Sequence, residues 1–477
     1  MSFGLRRVGA GWAAGGTLWL AAASVCAADA EPMDLSQALT RGMQSSGSVR
    51  SAALDAEAKG LRAEAVSNLS GPAVSLSGFA GRVSTSFNLD ISRLSAAANP
   101  LISGVDAATG LDIPPLPNTV STTRQFNLSS VGLSTNWPLY TGGRLEAVRG
   151  VAEARIGEAQ ADLQEAQDKA ASTTAQRYFQ LQLAQLAAKV RADAALGIAE
   201  HQRQAARLES TGLISTADRL KADVALDGAK RDLAKARSDV EIAGVALRRQ
   251  VGAEADVRPT TPLFVHSGSV GSLQSFIELG MAHHPAWRKL ASKRDQADQA
   301  IKLQGSEFSP VVFGVGNYNL NRSDDKLVQP NWYVGLFVSI PLMGHVDHGK
   351  SALAAKLDRQ RVDETAEQAK RDIPTLIENQ WRTMENARAQ VLAMDSTLKL
   401  ARESLRLQTV AFSQQQGTTL DVTDARLNLA KSETERAQAA YDYVLALARL
   451  LEACGQPERL PDYARSADIT FTLETLE

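Results

Sequence analysis

Two stretches, GMQSSGSVRSAALDAEA at residues 42–58 and GMAHHPAWRKLASKRDQA at residues 280–297, resemble each other and determine how the rest of the chain is interpreted. Their offset, 280 − 42 = 238, also relates Pro72 to Pro310. Self-similarity at a fixed offset is the signature of an internal repeat. The sequence therefore predicts two copies of one structural unit.

The offset becomes smaller farther along the chain. WPLYTGGR in the first copy corresponds to IPLMGHVDHGK in the second, which relates Pro138 to Pro341 with an offset of 341 − 138 = 203. The same offset relates Asp218 to Asp421. The difference, 238 − 203 = 35, is extra chain within the first copy. Its segment 97–123 is rich in Pro, Gly and Ala, which predicts a long loop.

Each copy contains two strand candidates with alternating side chains. They are AVSLSGFAG and NLSSVGLSTNWPLY in the first copy, and VVFGVGNYNL and WYVGLFVSIPL in the second. In the second candidate of the first copy, Val131, Leu133 and Trp137 share one face, and small or polar residues share the other. Membrane barrel strands show this pattern, although a hairpin of an ordinary soluble sheet shows it too.

Long helices follow the strands. Residues 143–212 contain no proline and consist mainly of strong helix formers, which predicts a helix of roughly 100 Å at a rise of 1.5 Å per residue. Residues 349–417 form the corresponding segment of the second copy, and we expect Pro374 to kink or locally break it. Glycine turns then reverse the chain, and shorter helices return to the end of each copy.

The first 30 residues have the composition of a secretory signal peptide. Arg6 and Arg7 form a positive region, an apolar core follows, and small residues offer cleavage after Ala28 or Ala30. The mature chain is therefore expected to be exported. Cys26 raises the alternative of a lipoprotein, but a valine precedes it where such signals carry a small residue. No later run of about 18 apolar residues predicts a transmembrane helix.

The overall composition excludes some classes of function. Basic and acidic residues number 51 and 53, and the net charge is −2. A chain that binds nucleic acid would be expected to show a basic excess. The two cysteines, Cys26 and Cys454, are too few for a disulfide framework or a thiolate metal site.

The stretch GHVDHGKS, residues 344–351, matches the phosphate-binding pattern G-x-x-x-x-G-K-[ST] and resembles the loop of translational GTPases. Its surroundings argue against that function. A GTPase needs a parallel sheet, whereas the sequence after Ser351 is helical, and neither D-x-x-G nor N-K-x-D occurs in the chain. We therefore interpret the stretch as a variant junction between strand and helix, with a P-loop GTPase as a remote alternative.

No catalytic constellation or cofactor motif is found. The histidines are His201, His266, His283, His284, His345 and His348. They do not combine with carboxylates in the spacing of a zinc protease. The last four could bind a metal, but exposed positions in loops and at helix starts explain them as well. We expect no enzyme activity, no cofactor and no metal.

The whole arrangement resembles the TolC family of outer-membrane export proteins. The resemblance rests on the duplicated halves, on a strand that ends in PL before GGR, and on the motifs GLISTADRLKA and DVTDARLNLAKSETERAQAAYDY. It implies a mixed α and β membrane protein: a homotrimer with a β-barrel in the outer membrane and a long α-helical coiled-coil barrel through the periplasm. Four strands per chain would supply twelve, enough to close a barrel without exposed edges.

The resemblance also implies a function. Such a channel is the exit duct of a tripartite efflux pump or of a type I secretion system, and it docks to an inner-membrane transporter through a periplasmic adaptor. A soluble periplasmic coiled-coil scaffold is the alternative, because its long helices would look the same. Whether the exported substrate is a drug, a metal, another small molecule or a protein does not follow from the sequence.

The family pattern places the functional residues at the periplasmic ends of the helices. The adaptor-docking residues would be Gly212, Leu213, Ile214 and Ser215 in the first copy and Gly417, Thr418, Thr419 and Leu420 in the second. Asp421 and Asp424 match paired aspartates of the narrow entrance, where threefold symmetry would form two acidic rings, and Asp218 matches an acidic entrance contact. The alternative is that Asp421 caps its helix and that Asp424 is a solvated acid of the first turn.

The second copy departs from the first at this point. Gly417 and Asp421 are four residues apart, whereas Gly212 and Asp218 are six apart, which suggests that two residues are missing. The tyrosine and arginine that latch the entrance of the best-known family member have no clear counterparts here. Gating by that latch is therefore doubtful.

These boundaries divide the chain into five segments. They are a signal peptide (1–30), a first repeat (31–252), a linker (253–272), a second repeat (273–455) and a C-terminal tail (456–477). The first repeat would contain a helix, a β-hairpin with a long extracellular loop, a long helix and a returning helix.

Overall fold

The computed structural model describes residues 30–320, 331–342 and 346–472. The expected signal sequence up to residue 29, including Cys26, lies outside the described residues, and so does His345. Contacts divide the chain into two units, which we call the helical unit (1–51, 164–284 and 371–477) and the sheet unit (52–163 and 285–370). No helix of the described ranges is long and apolar enough to cross a membrane.

The sheet unit contains a four-stranded antiparallel sheet in the order β2-β3-β6-β7. Its strands are β2 (Ala73–Asp90), β3 (Thr119–Tyr140), β6 (Val311–Asn319) and β7 (Trp332–Ser339). Its helices are α3 (Ser92–Thr109), α7 (Pro285–Ser306) and most of α2 (Gly47–Ala65). Strand β3 pairs with both β2 and β6, and β7 pairs with β6, so β2 and β7 are the outer strands.

The face of the sheet that carries Leu76 and Leu133 is apolar, as the alternation predicted. The opposite face is small and polar only in part, because it also carries exposed aromatic side chains: Phe79, Phe87, Tyr333 and Phe337. The register aligns a row of large side chains across all four strands: Leu76, Leu133, Tyr318 and Trp332. On the same face of β7, Val334 is 80% and Leu336 71% exposed. On the opposite face, the hydroxyls of Ser75 and Ser134 lie 2.8 Å apart. A large exposed apolar face of this kind marks a membrane or a partner surface.

The first hairpin is longer than predicted. Strand β2 has 18 residues and β3 has 22. The additional part of β2, RVSTSFNLD, and that of β3, TVSTTRQF, contain valine, threonine and phenylalanine, which favour extended backbone. Their polar serines and asparagine hide this tendency when strands are sought by hydrophobicity.

The long loop predicted for residues 97–123 is wrong in part, because helix α3 occupies Ser92–Thr109. Pro100 lies inside this helix, but a proline removes only one backbone N–H, and alanine, leucine and isoleucine around it favour helix. Gly110 ends the helix in the left-handed conformation, with φ of 66°. Residues 110–118 then return to β3 without regular structure.

Two long helices, α4 (Arg144–Ser210) and α8 (His348–Ser413), contribute residues to both units. The remaining helices of the helical unit are α1 (Leu35–Ser45), α5 (Thr216–Val251), α6 (Leu273–His283), α9 (Thr419–Ala453) and α10 (Leu460–Ser466). Its short strands are β1 (Glu31–Met33), β4 (Val257–Pro259), β5 (Leu263–Val265) and β8 (Ile469–Phe471). Strand β1 pairs in parallel with β4, and β5 pairs antiparallel with β8.

The core of the helical unit is aromatic where α4 meets these short strands. The rings of Tyr178 and Phe179 lie 5.2 Å apart, and Phe179 lies 5.8 Å from Phe264 of β5, both in edge contacts. The Tyr178 hydroxyl donates to the carbonyl of Met33 at 2.9 Å and accepts from the backbone N–H of Thr261 at 2.8 Å. These two hydrogen bonds therefore join α4 to strand β1 and to the segment between β4 and β5.

The same order of helices, strands, long helix and returning helix occurs twice, which confirms the internal duplication. Of the kink or local break expected at Pro374, the break is wrong, because α8 continues through it, and the kink stays a prediction. Ile373 and Ile377 on either side are buried, and their packing holds the helix where one backbone hydrogen bond is lost. Cys454 is buried too, with its Sγ 3.4 Å from the carbonyl of Phe276, so it is a packed residue.

Candidate functional site at the helical tips

Two turns carry the residues that the sequence assigned to the periplasmic end. We call them the first tip (residues 211–221), which joins α4 to α5, and the second tip (residues 414–424), which joins α8 to α9. Both lie in the helical unit.

The first tip begins with a glycine in the left-handed conformation. Gly212 has φ of 75°. The N–H of Leu213 donates to the carbonyl of Leu208 at 2.9 Å, and that of Gly212 to Glu209 at 2.9 Å. This pair of bonds is the Schellman motif, which satisfies the last carbonyls of α4.

The second tip has the same motif without a glycine. The N–H of Gln416 donates to the carbonyl of Ala411 at 2.8 Å, and that of Gln415 to Phe412 at 3.0 Å. Gln415 has φ of 62°, the only positive φ of a non-glycine residue in the described part of the chain. A left-handed residue other than glycine costs roughly 1 kcal/mol.

The expectation that two residues are missing from the second tip is therefore wrong. The left-handed residues are related by 415 − 212 = 203, the offset that also relates Asp218 to Asp421. Matching Gly417 to Gly212 caused the error, because glycine was assumed where the turn needs a positive φ. The two tips have the same length and the same backbone course.

Each returning helix starts with a hydroxyl cap and an aspartate three residues later. Thr418 donates from its backbone N–H and from its hydroxyl to the Asp421 carboxylate, at 2.8 and 2.7 Å, and accepts from the N–H of Asp421 at 3.2 Å. These hydrogen bonds lower the pKa of Asp421. In the first tip, the Ser215 hydroxyl donates to Asp218 at 2.8 Å. Thr418 is thus the N-cap of α9, and Asp421 completes its capping box, which agrees with the capping interpretation in function though not in the identity of the N-cap residue.

The two tips differ in charge at the position of Lys221. Lys221 in the first tip lies 3.0 Å from the carboxylate of Asp218. The hydrogen bond from Ser215 and this lysine both lower the pKa of Asp218. The equivalent of Lys221, by 424 − 221 = 203, is Asp424, which is exposed and whose carboxylate forms no hydrogen bond or ion pair with another described residue. The first tip therefore pairs its aspartate with a cation, whereas the second presents two carboxylates.

The tips are also braced differently. Arg219 in the first tip lies 2.7 Å from Glu209 of α4 and forms an ion pair with Asp223 of α5. In the second copy, the residues equivalent to Glu209 and Arg219 are Phe412 at the end of α8 and Val422, which are 4% and 2% exposed. An ionic link in the first tip is thus replaced by apolar side chains in the second.

His201 of α4 packs against this apolar part of the second tip. Its ring lies 4.4 Å from that of Phe412, and its Nε2 is buried without a hydrogen-bond partner among the described residues. Burial lowers the pKa of His201, the backbone of Thr419 opposes the shift, and Arg426 adds to it. The sequence assigns no role to His201, because a single histidine within a 67-residue helix carries no pattern.

Most of the expected docking residues are accessible. Leu213 is 53% and Leu420 50% exposed, so each tip presents one leucine to its surroundings. Thr419 is an exception, because it is 2% exposed and its hydroxyl is buried without a hydrogen-bond partner among the described residues. The docking role of these residues and the acidic ring stay predictions.

The described part of the GHVDHGKS stretch forms a helix start. The Asp347 carboxylate accepts from the N–H of Lys350 at 3.0 Å and lies 3.2 Å from its ammonium group. The hydrogen bond from the Lys350 backbone is the main reason why the pKa of Asp347 is lowered. Among the described residues, no three His, Cys, Asp or Glu side chains are grouped to hold a metal ion.

Comparison with known families gives one model match. The model described as outer membrane efflux protein matches residues 38–253 and again residues 277–456. It thus covers more than half of the chain, once in each copy of the repeat. No curated protein matches the chain.

Several solved structures have the same fold. The Campylobacter jejuni CmeC outer membrane channel has 13% identity, covers 91% of this chain and 90% of its own, and superposes with a TM-score of 0.70. The open-state Neisseria gonorrhoeae MtrE outer membrane channel has 18% identity over 89% of both chains, with a TM-score of 0.68. CusC has 14% identity over 88% of this chain and 92% of its own, with a TM-score of 0.71.

Proposed function

Because the chain belongs to the outer membrane efflux protein family, and is an outer-membrane duct of the TolC type, we propose that it exports substrates as a homotrimer docked to an inner-membrane transporter. The docking would run through a periplasmic adaptor. The assembly would be a tripartite efflux pump or a type I secretion system. Both remain open because the transporter, and not the duct, largely determines which substrate is exported.

The observation that carries the proposal is the sheet of the sheet unit. Its apolar face is exposed on all four strands, and its outer strands β2 and β7 each have one edge without a partner among the described residues. Hydrocarbon does not tolerate unpaired backbone groups. Joining three copies edge to edge supplies every partner and closes a twelve-stranded barrel.

The long helices support the periplasmic part of the proposal. Helix α4 has 67 residues and α8 has 66, so each is roughly 100 Å long. Their turns present Leu213 and Leu420, and an exposed leucine on a rigid turn is suited to contact with another protein. The two tips share one backbone course, so one adaptor surface could recognise both.

Export and docking can be tested together in a deletion strain. The strain is complemented with the parent chain or with the double variant Leu213→Asp, Leu420→Asp, and outer-membrane levels of both proteins are matched. We expect the variant to lose export and adaptor cross-linking. Drug and metal susceptibility reports on an efflux pump, and mass spectrometry of the culture medium reports on type I secretion. A variant that retains full export and cross-linking would contradict docking at the tips.

A further inference from the structure

Helix α3 lies at the end of the β2–β3 hairpin that is remote from the long helices along the chain. The register pairs Asp90 with Thr119 there, while Ala73 pairs with Asn136 at the other end, near the start of α4. The helix begins two residues after β2, which is an outer strand of the sheet. Helix α3 is therefore close to any chain that pairs with the outer edge of β2 in an assembly.

One face of α3 is tied to the segment that returns to β3. Ser95 is fully buried, and its hydroxyl donates to Asn118 Oδ1 at 2.6 Å. The Asn99 side chain donates to the carbonyl of Leu116 at 3.0 Å and accepts from its N–H at 2.8 Å. The Asp106 carboxylate accepts from the N–H of Ile113 at 3.3 Å. These bonds fix the rotation of the helix about its axis.

A second face of α3 is apolar and open. Leu94 is 61%, Leu101 73% and Val105 49% exposed. Together with Ala98 and Ala108, these residues form a row at positions 94, 98, 101, 105 and 108. The spacing of 4, 3, 4 and 3 residues is that of a coiled-coil seam. At 100° per residue all five lie within about 40° of Leu94, and about 120° from the tied face.

The remaining face of α3 helps to choose the partner. It carries small residues such as Ala96, Ser103 and Ala107. A helix that lies in a membrane interface carries basic residues on its polar face and aromatic anchors. Helix α3 contains no aromatic residue, and its only charged residues are Arg93 and Asp106. Its composition favours contact with other helices over contact with lipid.

We propose that the apolar face of α3 packs against the α3 helices of the neighbouring copies, so that three helices form a cap at the extracellular end of the duct. The inference rests on the proposed trimer. The hydrogen bonds to residues 113–118 fix the rotation of each α3, so its apolar seam keeps one orientation. The alanines in the seam allow the helices to approach closely. The cap narrows the exit, so a substrate leaves only when the three helices separate.

Cysteine cross-linking tests this contact. Leu101→Cys places a thiol in the seam. Ser103→Cys places one on the opposite face, about 180° away, and both positions are exposed. The native Cys454 is buried. Each variant is purified from outer membranes and treated with a short thiol cross-linker. We expect cross-linked dimers with Leu101→Cys and none with Ser103→Cys.

The outcomes separate the inference from the proposed function. If the protein is a trimer by native mass but Leu101→Cys gives no cross-link, or reacts instead with a lipid-borne thiol probe, the cap is wrong and the trimer stands. If no trimer forms, the proposed function itself fails.

Conductance gives a second measurement. The double variant Leu101→Asp, Val105→Asp should separate the helices and raise single-channel conductance, whereas Ser103→Asp, Ala107→Asp should leave it at the parent value. A trimer of the first variant with unchanged conductance would overturn the role of α3 in narrowing the exit.

Discussion

At the scale of single residues, the second tip contains a strain that one substitution can remove. Gln415 adopts φ of 62°, where glycine has no steric cost. We expect Gln415→Gly to stabilise the protein by up to about 1 kcal/mol, partly offset by the greater freedom of glycine in the unfolded chain. Gly212→Ala is the matched control in the first tip and should destabilise it. Thermal unfolding of the purified protein measures both shifts, and a destabilised Gln415→Gly would contradict the strain.

Asp168 of α4 should make stability depend on pH. It is 3% exposed, its Oδ1 accepts from Gln164 at 2.8 Å, and its Oδ2 has no partner among the described residues. Burial raises its pKa from 3.8 to about 6, and the nearby Glu458, Glu452 and Glu165 add to the shift.

Between those two pH values the folded chain holds a proton on Asp168 that the unfolded chain has released. Stability contributed by this residue should therefore fall as pH rises from about 4 to about 6 and then stay constant. Asp168→Asn removes the charge and should abolish this part of the decline, so that the variant gains most at pH 8. Melting temperatures of both proteins across this range provide the test, and parallel profiles would show that Asp168 is not the group responsible.

Lys350 tests the phosphate-loop interpretation. Its side chain is 85% exposed and pairs with Asp347 at the start of α8. A helix-start cation of this kind contributes little, so Lys350→Ala should leave export nearly unchanged, and calorimetry should detect no binding of GTP to the parent. Micromolar GTP binding that disappears on this substitution would revive the GTPase alternative.

At the scale of elements, the two tips allow the effect of charge to be compared on one backbone. They share one backbone course, but the first carries Asp218 with Lys221 and the second carries Asp421 with Asp424. Threefold symmetry would gather the second pair into rings of carboxylates, which favour cations, since two such charges about 6 Å apart repel by roughly 3 kcal/mol at an effective dielectric of 20.

We therefore expect a cation-selective pore that multivalent cations block from the periplasmic side. Asp421→Asn keeps an oxygen for the cap of α9, so Asp421→Asn with Asp424→Asn should remove charge and block while the helix stays intact. Lys221→Gln is the matched control and should leave the block in place. Single-channel recordings decide the matter: block that persists in the double variant would remove these residues from the entrance.

The elements also show how far sequence reasoning reaches. Glycine at residue 143 and Gly212 bounded the first long helix to within two residues of Arg144–Ser210, because the absence of proline and a left-handed end are local properties. Helix α3 was missed because proline and glycine counts outweighed its alanine and leucine. The left-handed Gln415 was missed because glycine was assumed at the positive φ of the turn. The burial of His201 against Phe412 depends on a contact between segments about 200 residues apart, which no local pattern encodes.

At the scale of the whole molecule, the sheet cannot be complete in a single chain that enters a membrane. Strands β2 and β7 are its outer strands, and Val334 and Leu336 of β7 are among its most exposed side chains. In hydrocarbon each unpaired backbone group costs several kcal/mol, so a row of them along two edges cannot be offset by the apolar face.

We therefore expect the protein to leave outer membranes as a trimer with three times the mass of its mature chain; the 477 residues of the sequence correspond to 50.9 kDa. Native mass spectrometry in mild detergent measures the mass of the assembly directly. Because strand pairing between copies and folding of the sheet are one process, we expect the trimer to dissociate only when the strand signal in circular dichroism is lost. Detergent dilution over a wide range of protein concentration is the control, since an assembly held only by side chains would dissociate reversibly into folded monomers. A stable monomer that keeps its strands would show that β2 and β7 find their partners within one chain, and the duct would then have to be built in another way.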